Sequence, residues 1–244
     1  MTDSDTLQVG TTEPAGVINT AINVLASPSE AFNEIAQRPT KLFPLAIILG
    51  SSTAVMAWYF SIIDYDWYMD DALSLLSNFS EAQLEGTREV MESMSQTTFR
   101  VFGTIGGSIS LLVVWLLQSV YLSLASALNG DRFKFTHWFS LIVWTALPYL
   151  LSVVGMAVTI ALSPNGQLSA YDLDPTTLAN LGMQSSNGSV GAVMNSLNLT
   201  MIWSITLTVL AYKQWLESSW LKAMSIVLGP YLLIIGVWAY FALA

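Results

Sequence analysis

Apolar residues along this chain fall into long unbroken runs, without the steady apolar/polar alternation of a fold that faces water. Roughly 20 residues, rising 1.5 Å each, carry a helix across the hydrocarbon of a bilayer. Five runs qualify: 42–63, 101–128, 138–162, 194–212 and 223–244. The first, LFPLAIILGSSTAVMAWYFSII, contains no charge, whereas the fourth includes the half-polar SLNLTMIWSITLT. The pattern predicts an all-α polytopic membrane protein: a segment 1–40 with short amphipathic helices, then a five-helix membrane domain over 41–244.

Composition supports this class. Of the 244 residues, 53% are hydrophobic and 10% charged, against about 25% charged in soluble domains. So few charges cannot coat a water-facing surface. The net charge of −9 and the absence of any Lys/Arg cluster exclude a nucleic-acid footprint. With no cysteine there are no disulfides, thiolate metal sites or thiol nucleophiles. The opening MTDSDTLQVGTTEPAG lacks the basic and apolar regions of a signal peptide, so the first run is expected to direct insertion.

Charge between the runs sets an orientation. Arg38, Lys41, Arg132, Lys134, Lys213 and Lys222 fall on one side of a five-span chain, and the opposite loops, 64–100 and 163–193, are acidic. Because cytoplasmic loops retain Lys and Arg, the expected N-terminus is cytoplasmic and the C-terminus external.

Ser27-Pro28-Ser29-Glu30 has the form of a capping box with proline at the first helical position. It predicts a helix over 28–37 that places Phe32 and Ile35 on one face, available to a partner. GVINTAINVLA upstream is a second short amphipathic segment. Both are too short to persist alone in water and are expected against the membrane or the loops. In the first acidic loop, Ser80 and Gln83 can cap a helix through EAQLEGTREVMESM.

Within the third run, Pro148 should free the Trp144 carbonyl and bend the helix, a break that neighbouring helices and hydroxyls make tolerable in lipid. Thr145 could supply a hydroxyl. Gly103 and Gly107 form a GxxxG pair, either a seam between two copies or packing inside one bundle. Gln118, Asn198 and Ser204 join them as candidate helix-packing residues, with Thr200, Ser204 and Thr208 spaced to share one face. Such a face either glues helices or lines a path for lipid or small solute. His137, the single histidine, has no second histidine to pair with. No P-loop, dinucleotide-binding, GxSxG or HExxH pattern occurs, so no catalytic, cofactor or metal residues are assigned.

The order SPSEAFNEIAQRP, FKFTHWFSLIVWTALPYLL, IWSITLTVLA and SSWLKAMSIVLGPYLL resembles the Yip family of five-span membrane proteins, and most nearly its short prokaryotic branch. The resemblance covers about residues 20–244, carried by Pro28, Phe32, Pro39, Pro148 and Lys222-Ala223. It implies a non-enzymatic membrane protein with a cytosolic N-terminus, and the short form suggests a prokaryotic inner membrane; with the capped N-terminal helix and the small-residue seam it leads to the expectation of a membrane organiser or interaction protein. The expected partners are the lipid bilayer, a second copy or another membrane protein. The long N-terminal domain and acidic-leucine-tyrosine-glycine-proline motif of eukaryotic members are missing, so binding of a Rab GTPase is not expected.

Overall fold

The computed structural model describes residues 16–76, 80–128, 130–131, 133–163, 165–183 and 188–243. Eleven helices form among the described residues: α1 (Val17–Ala26), α2 (Pro28–Gln37), α3 (Leu42–Ile62), α4 (Tyr65–Ser74), α5 (Glu81–Ser93), α6 (Gln96–Ala127), α7 (Phe135–Thr145), α8 (Tyr149–Leu162), α9 (Gly188–Ser196), α10 (Leu199–Trp215) and α11 (Trp220–Leu243). Four paths are long and apolar enough to cross a membrane: α3, α6, α7 with α8, and Trp220–Trp238 of α11. The fourth expected run is divided. Asn198 caps α10 by accepting the Met201 amide at 2.7 Å, so this helix begins at Leu199, not 194, and spans only 17 residues. It packs against α2, α7, α8 and α11.

The third path bends where Pro148 lies. Its missing N–H leaves the Trp144 carbonyl without the usual donor, and Leu147 N–H donates to that oxygen instead at 3.2 Å. Tyr149, Leu150 and Leu151 continue this tighter i→i−3 pattern. The Thr145 hydroxyl does not reach the freed carbonyl. It donates to Ile142 O and lies 3.0 Å from the hydroxyl of Thr208.

α1 and α2 form a hairpin against one end of the bundle. The Trp215 indole N–H donates to Phe32 O at 2.9 Å, and Gln214 Nε2 donates to Ser29 O and Asn33 Oδ1, both at 2.8 Å. Phe32 and Ile35, expected to face a partner, are buried to 0% and 1% exposure among Trp138, Trp144 and Tyr212. The apolar face of an amphipathic helix goes to the nearest apolar surface, here the ends of α7 and α10. Ser27 stands at the start of α2 but makes no side-chain capping bond. Phe133 stacks on Trp215 with centroids 4.6 Å apart, and the Trp144 indole reaches Thr40 O at 2.7 Å. These ties gather Arg38, Lys41, Lys134 and Lys213 at this end; Arg132 lies outside the described residues. His137 sits in the first turn of α7, its Nδ1 accepting the Lys134 amide.

The acidic end is more ordered than a pair of loops. Asp64 caps α4, and Ser80 and Gln83 make the reciprocal capping box of α5. Segment 165–183 folds back over the bundle: Tyr59 O–H donates to Leu168 O at 2.7 Å, Asp64 N–H to Gly166 O at 2.9 Å, and Leu178 N–H to Leu197 O at 2.8 Å. Phe60, Tyr68 and Phe99 close this end, Phe60 meeting the other two rings edge-on and Tyr68 lying tilted against Phe99.

Candidate functional site

The polar residues at the start and along the inner face of α10 divide into two sets. Nearest the acidic end, Asp174 Oδ1 accepts the Thr176 hydroxyl at 2.7 Å, and Ser152 Oγ lies 2.7 Å from Thr176 Oγ1 and 2.9 Å from Thr200 Oγ1. Thr200 donates to Asn198 Oδ1 at 2.9 Å, and Asn198 Nδ2 returns to Asp174 Oδ2 at 3.1 Å. This closed ring of five side chains fastens the acidic-end loop to α8 and α10. Asn198 therefore sits at the head of its helix, with its amide shared between the cap and the ring.

One turn further, the Ser204 hydroxyl donates back to Thr200 O at 2.8 Å, and the Thr208 hydroxyl to Ser204 O at 2.9 Å. Serine and threonine in apolar helices satisfy themselves in this way. Thr208 is buried against Thr145 of α7, whereas Ser204 is only half-buried and borders a hollow.

Two adjoining hollows lie between α6, α7, α10 and α11, of about 310 and 290 Å³. They share Val114, Gln118, Ile142, Thr208 and Tyr231. The first is almost wholly apolar and bounded by Leu117, Tyr121, Leu122, Val227, Pro230 and Ile234. The second carries the hydroxyls of α10, with Ser196 and Asn198 at its acidic end. No charged side chain lines either one.

Two polar ties hold α11 to α6 beside these hollows. Gln118 Nε2 donates to the Tyr231 hydroxyl at 2.7 Å. Pro230 inside α11 leaves the Ile226 carbonyl without its usual donor, and Tyr121 O–H donates to that carbonyl at 2.9 Å. Tyr121, Pro230 and Tyr231 were not singled out by sequence reasoning. The available signal was Pro-Tyr within an apolar run, opposite a Gln118/Tyr121 pair one helical turn apart.

The glycine pair separates. A Cβ placed on Gly103 would lie inside 3.0 Å of three carbons of the Phe60 ring, so α6 meets α3 closely there. Gly107 has no neighbouring atom within 4 Å of such a Cβ and is exposed. Thr53 of α3 bonds Ser108 of α6 at 2.7 Å just beside it.

Among the described residues, no group of three or more His, Cys, Asp or Glu side chains could hold a metal ion. No curated protein and no solved structure matches the chain. The family model for the Yip1 domain matches residues 22–241, from α1 almost to the end of α11. The chain is a member of the Yip1 domain family.

Proposed function

We propose that this chain is a non-enzymatic, five-span protein of a prokaryotic inner membrane. In this reading α10 crosses as the fourth of five spans and the α1–α2 hairpin organises the cytoplasmic leaflet. The observation that carries the reading is α1. It has no charged residue, buries Thr20 and Val24 against the bundle, and turns Val17, Ile18, Ile22 and Leu25 outward. Ile18 is 65% exposed and Ile22 56%. An outward apolar stripe at the basic end suits a helix lying in the interface, with Lys and Arg nearby facing anionic headgroups. An odd number of spans puts the termini on opposite sides, in line with the charge distribution.

The absence of cysteine makes the test simple. An environment-sensitive fluorophore is attached to Ile22→Cys or Glu30→Cys in the full chain reconstituted in liposomes. The Ile22 label should emit as in hydrocarbon and be quenched by lipid-borne quenchers, while the Glu30 label answers to aqueous iodide. Iodide quenching of both labels alike would sink the interfacial reading and leave the stripe free for a protein.

A further inference from the structure

We propose that the twin hollow between α6, α10 and α11 is a binding site for an uncharged lipid bearing a hydroxyl group. The hydrocarbon tail lies along the apolar hollow, and the hydroxyl meets Gln118, Tyr231 and Ser204.

Access comes first. Val114, Leu117 and Ile234 wall the apolar hollow and are 45%, 65% and 64% exposed, so it opens sideways from the bundle. Those residues lie on two of the paths able to cross a membrane, where the surrounding medium is lipid. An opening in that position admits a hydrocarbon chain without passage through water.

Charge narrows the ligand. No Lys, Arg, Asp or Glu lines either hollow, and an ionised group placed there would be desolvated without a counter-ion. A phosphate, carboxylate or ammonium head is therefore disfavoured at this depth.

Hydrogen-bond inventory narrows it further. Gln118 uses one of its two amide N–H groups on Tyr231, which leaves its second N–H and the Tyr231 O–H as donors and its carbonyl oxygen as an acceptor. Among the described residues none of these three groups has a further protein partner. Ser204 spends its proton on Thr200 O and presents an acceptor only. The site thus offers two donors beside two acceptors. A hydroxyl matches it: its oxygen accepts from Tyr231 and its proton goes to Gln118 or Ser204. A ketone or ester carbonyl could use the donors but would leave both acceptors unfilled. The two hollows, of about 310 and 290 Å³, lie at the lower end of the size range for small-molecule sites.

The experiment uses the full chain in phosphatidylcholine nanodiscs and a diazirine-bearing long-chain alcohol. Adducts are mapped by mass spectrometry after illumination. Labelling is expected at the lining residues Leu117, Gln118, Tyr121, Val227, Tyr231 and Ile234, to be competed by unlabelled long-chain alcohol, and to be lost in Val114→Trp, which fills the hollow. Tyr231→Phe keeps the ring and removes the donor. It should weaken half-maximal labelling by about three- to tenfold, the worth of one hydrogen bond. The matching diazirine fatty acid, ionised above neutral pH, should label these residues far less. Adducts spread over the outward residues Leu232 and Leu233 without competition would overturn the site. Equal labelling by the carboxylate, or none lost in Tyr231→Phe, would overturn the hydroxyl assignment.

Discussion

Adding one methyl group to either glycine of the GxxxG pair tests which surface α6 buries. At Gly103 the new Cβ falls within the Phe60 ring, which is held by Tyr59, Tyr68 and Phe99 and is 6% exposed. Overpacking of this kind costs about 1–3 kcal/mol. Replacing glycine by alanine in a helix returns about 0.8–1.0 kcal/mol in propensity. Gly103→Ala should therefore lose up to about 2 kcal/mol. Gly107→Ala meets no atom within 4 Å and should gain only the propensity term. The difference between the two variants, about 1–3 kcal/mol, is free of that shared term. Reversible unfolding in mixed micelles, followed by tryptophan fluorescence, measures it. Adding Phe60→Leu should recover much of the Gly103→Ala loss, because the two positions touch and are energetically coupled. Equal destabilisation by the two glycine variants, with no recovery through Phe60, would refute the reasoning. It would point to a seam between two copies that uses both glycines.

Deleting the Phe32 side chain should cost about 3–5 kcal/mol in the same unfolding assay, since the ring is wholly buried among α7 and α10 residues; a loss below about 1 kcal/mol would mean that α2 is detachable. Asp174→Ala removes the acceptor of three hydrogen bonds, two from Thr176 and one from Asn198. It should loosen the acidic-end loop by about 1.5–3 kcal/mol, seen as faster hydrogen exchange at Leu178 and Leu199, with Asp174→Asn intermediate. Tyr68 of α4 is held above the ordinary tyrosine value of 10.0, first by burial and then by the negative charge of Asp71. Its contribution to stability is present below pH 10.0 and is lost as the pH rises through the raised value; Tyr68→Phe should flatten that alkaline decline in stability-versus-pH curves.

The sequence by itself determined the class and the local elements. Charge-free runs needed lipid, because no other medium accepts so much apolar surface, and proline at 148 had to free a carbonyl wherever the helix packed. The Ser80/Gln83 capping box was legible because it is settled within four residues. Tertiary structure decided everything that depends on which face meets which neighbour. Phe32 and Ile35 form a clear apolar face on paper, but only packing shows that the face is used inside this chain. Asn198 reads in sequence as a helix-packing residue inside the fourth run, and its bonds to Met201 and Asp174 place it at a helix start. The GxxxG spacing treats its two glycines as equals, while the approach of Phe60 distinguishes them. The hollow beside Gln118 and Tyr231 joins residues 113 positions apart. A hydropathy pattern records how each residue partitions between water and lipid, and contains no term for the helix standing opposite.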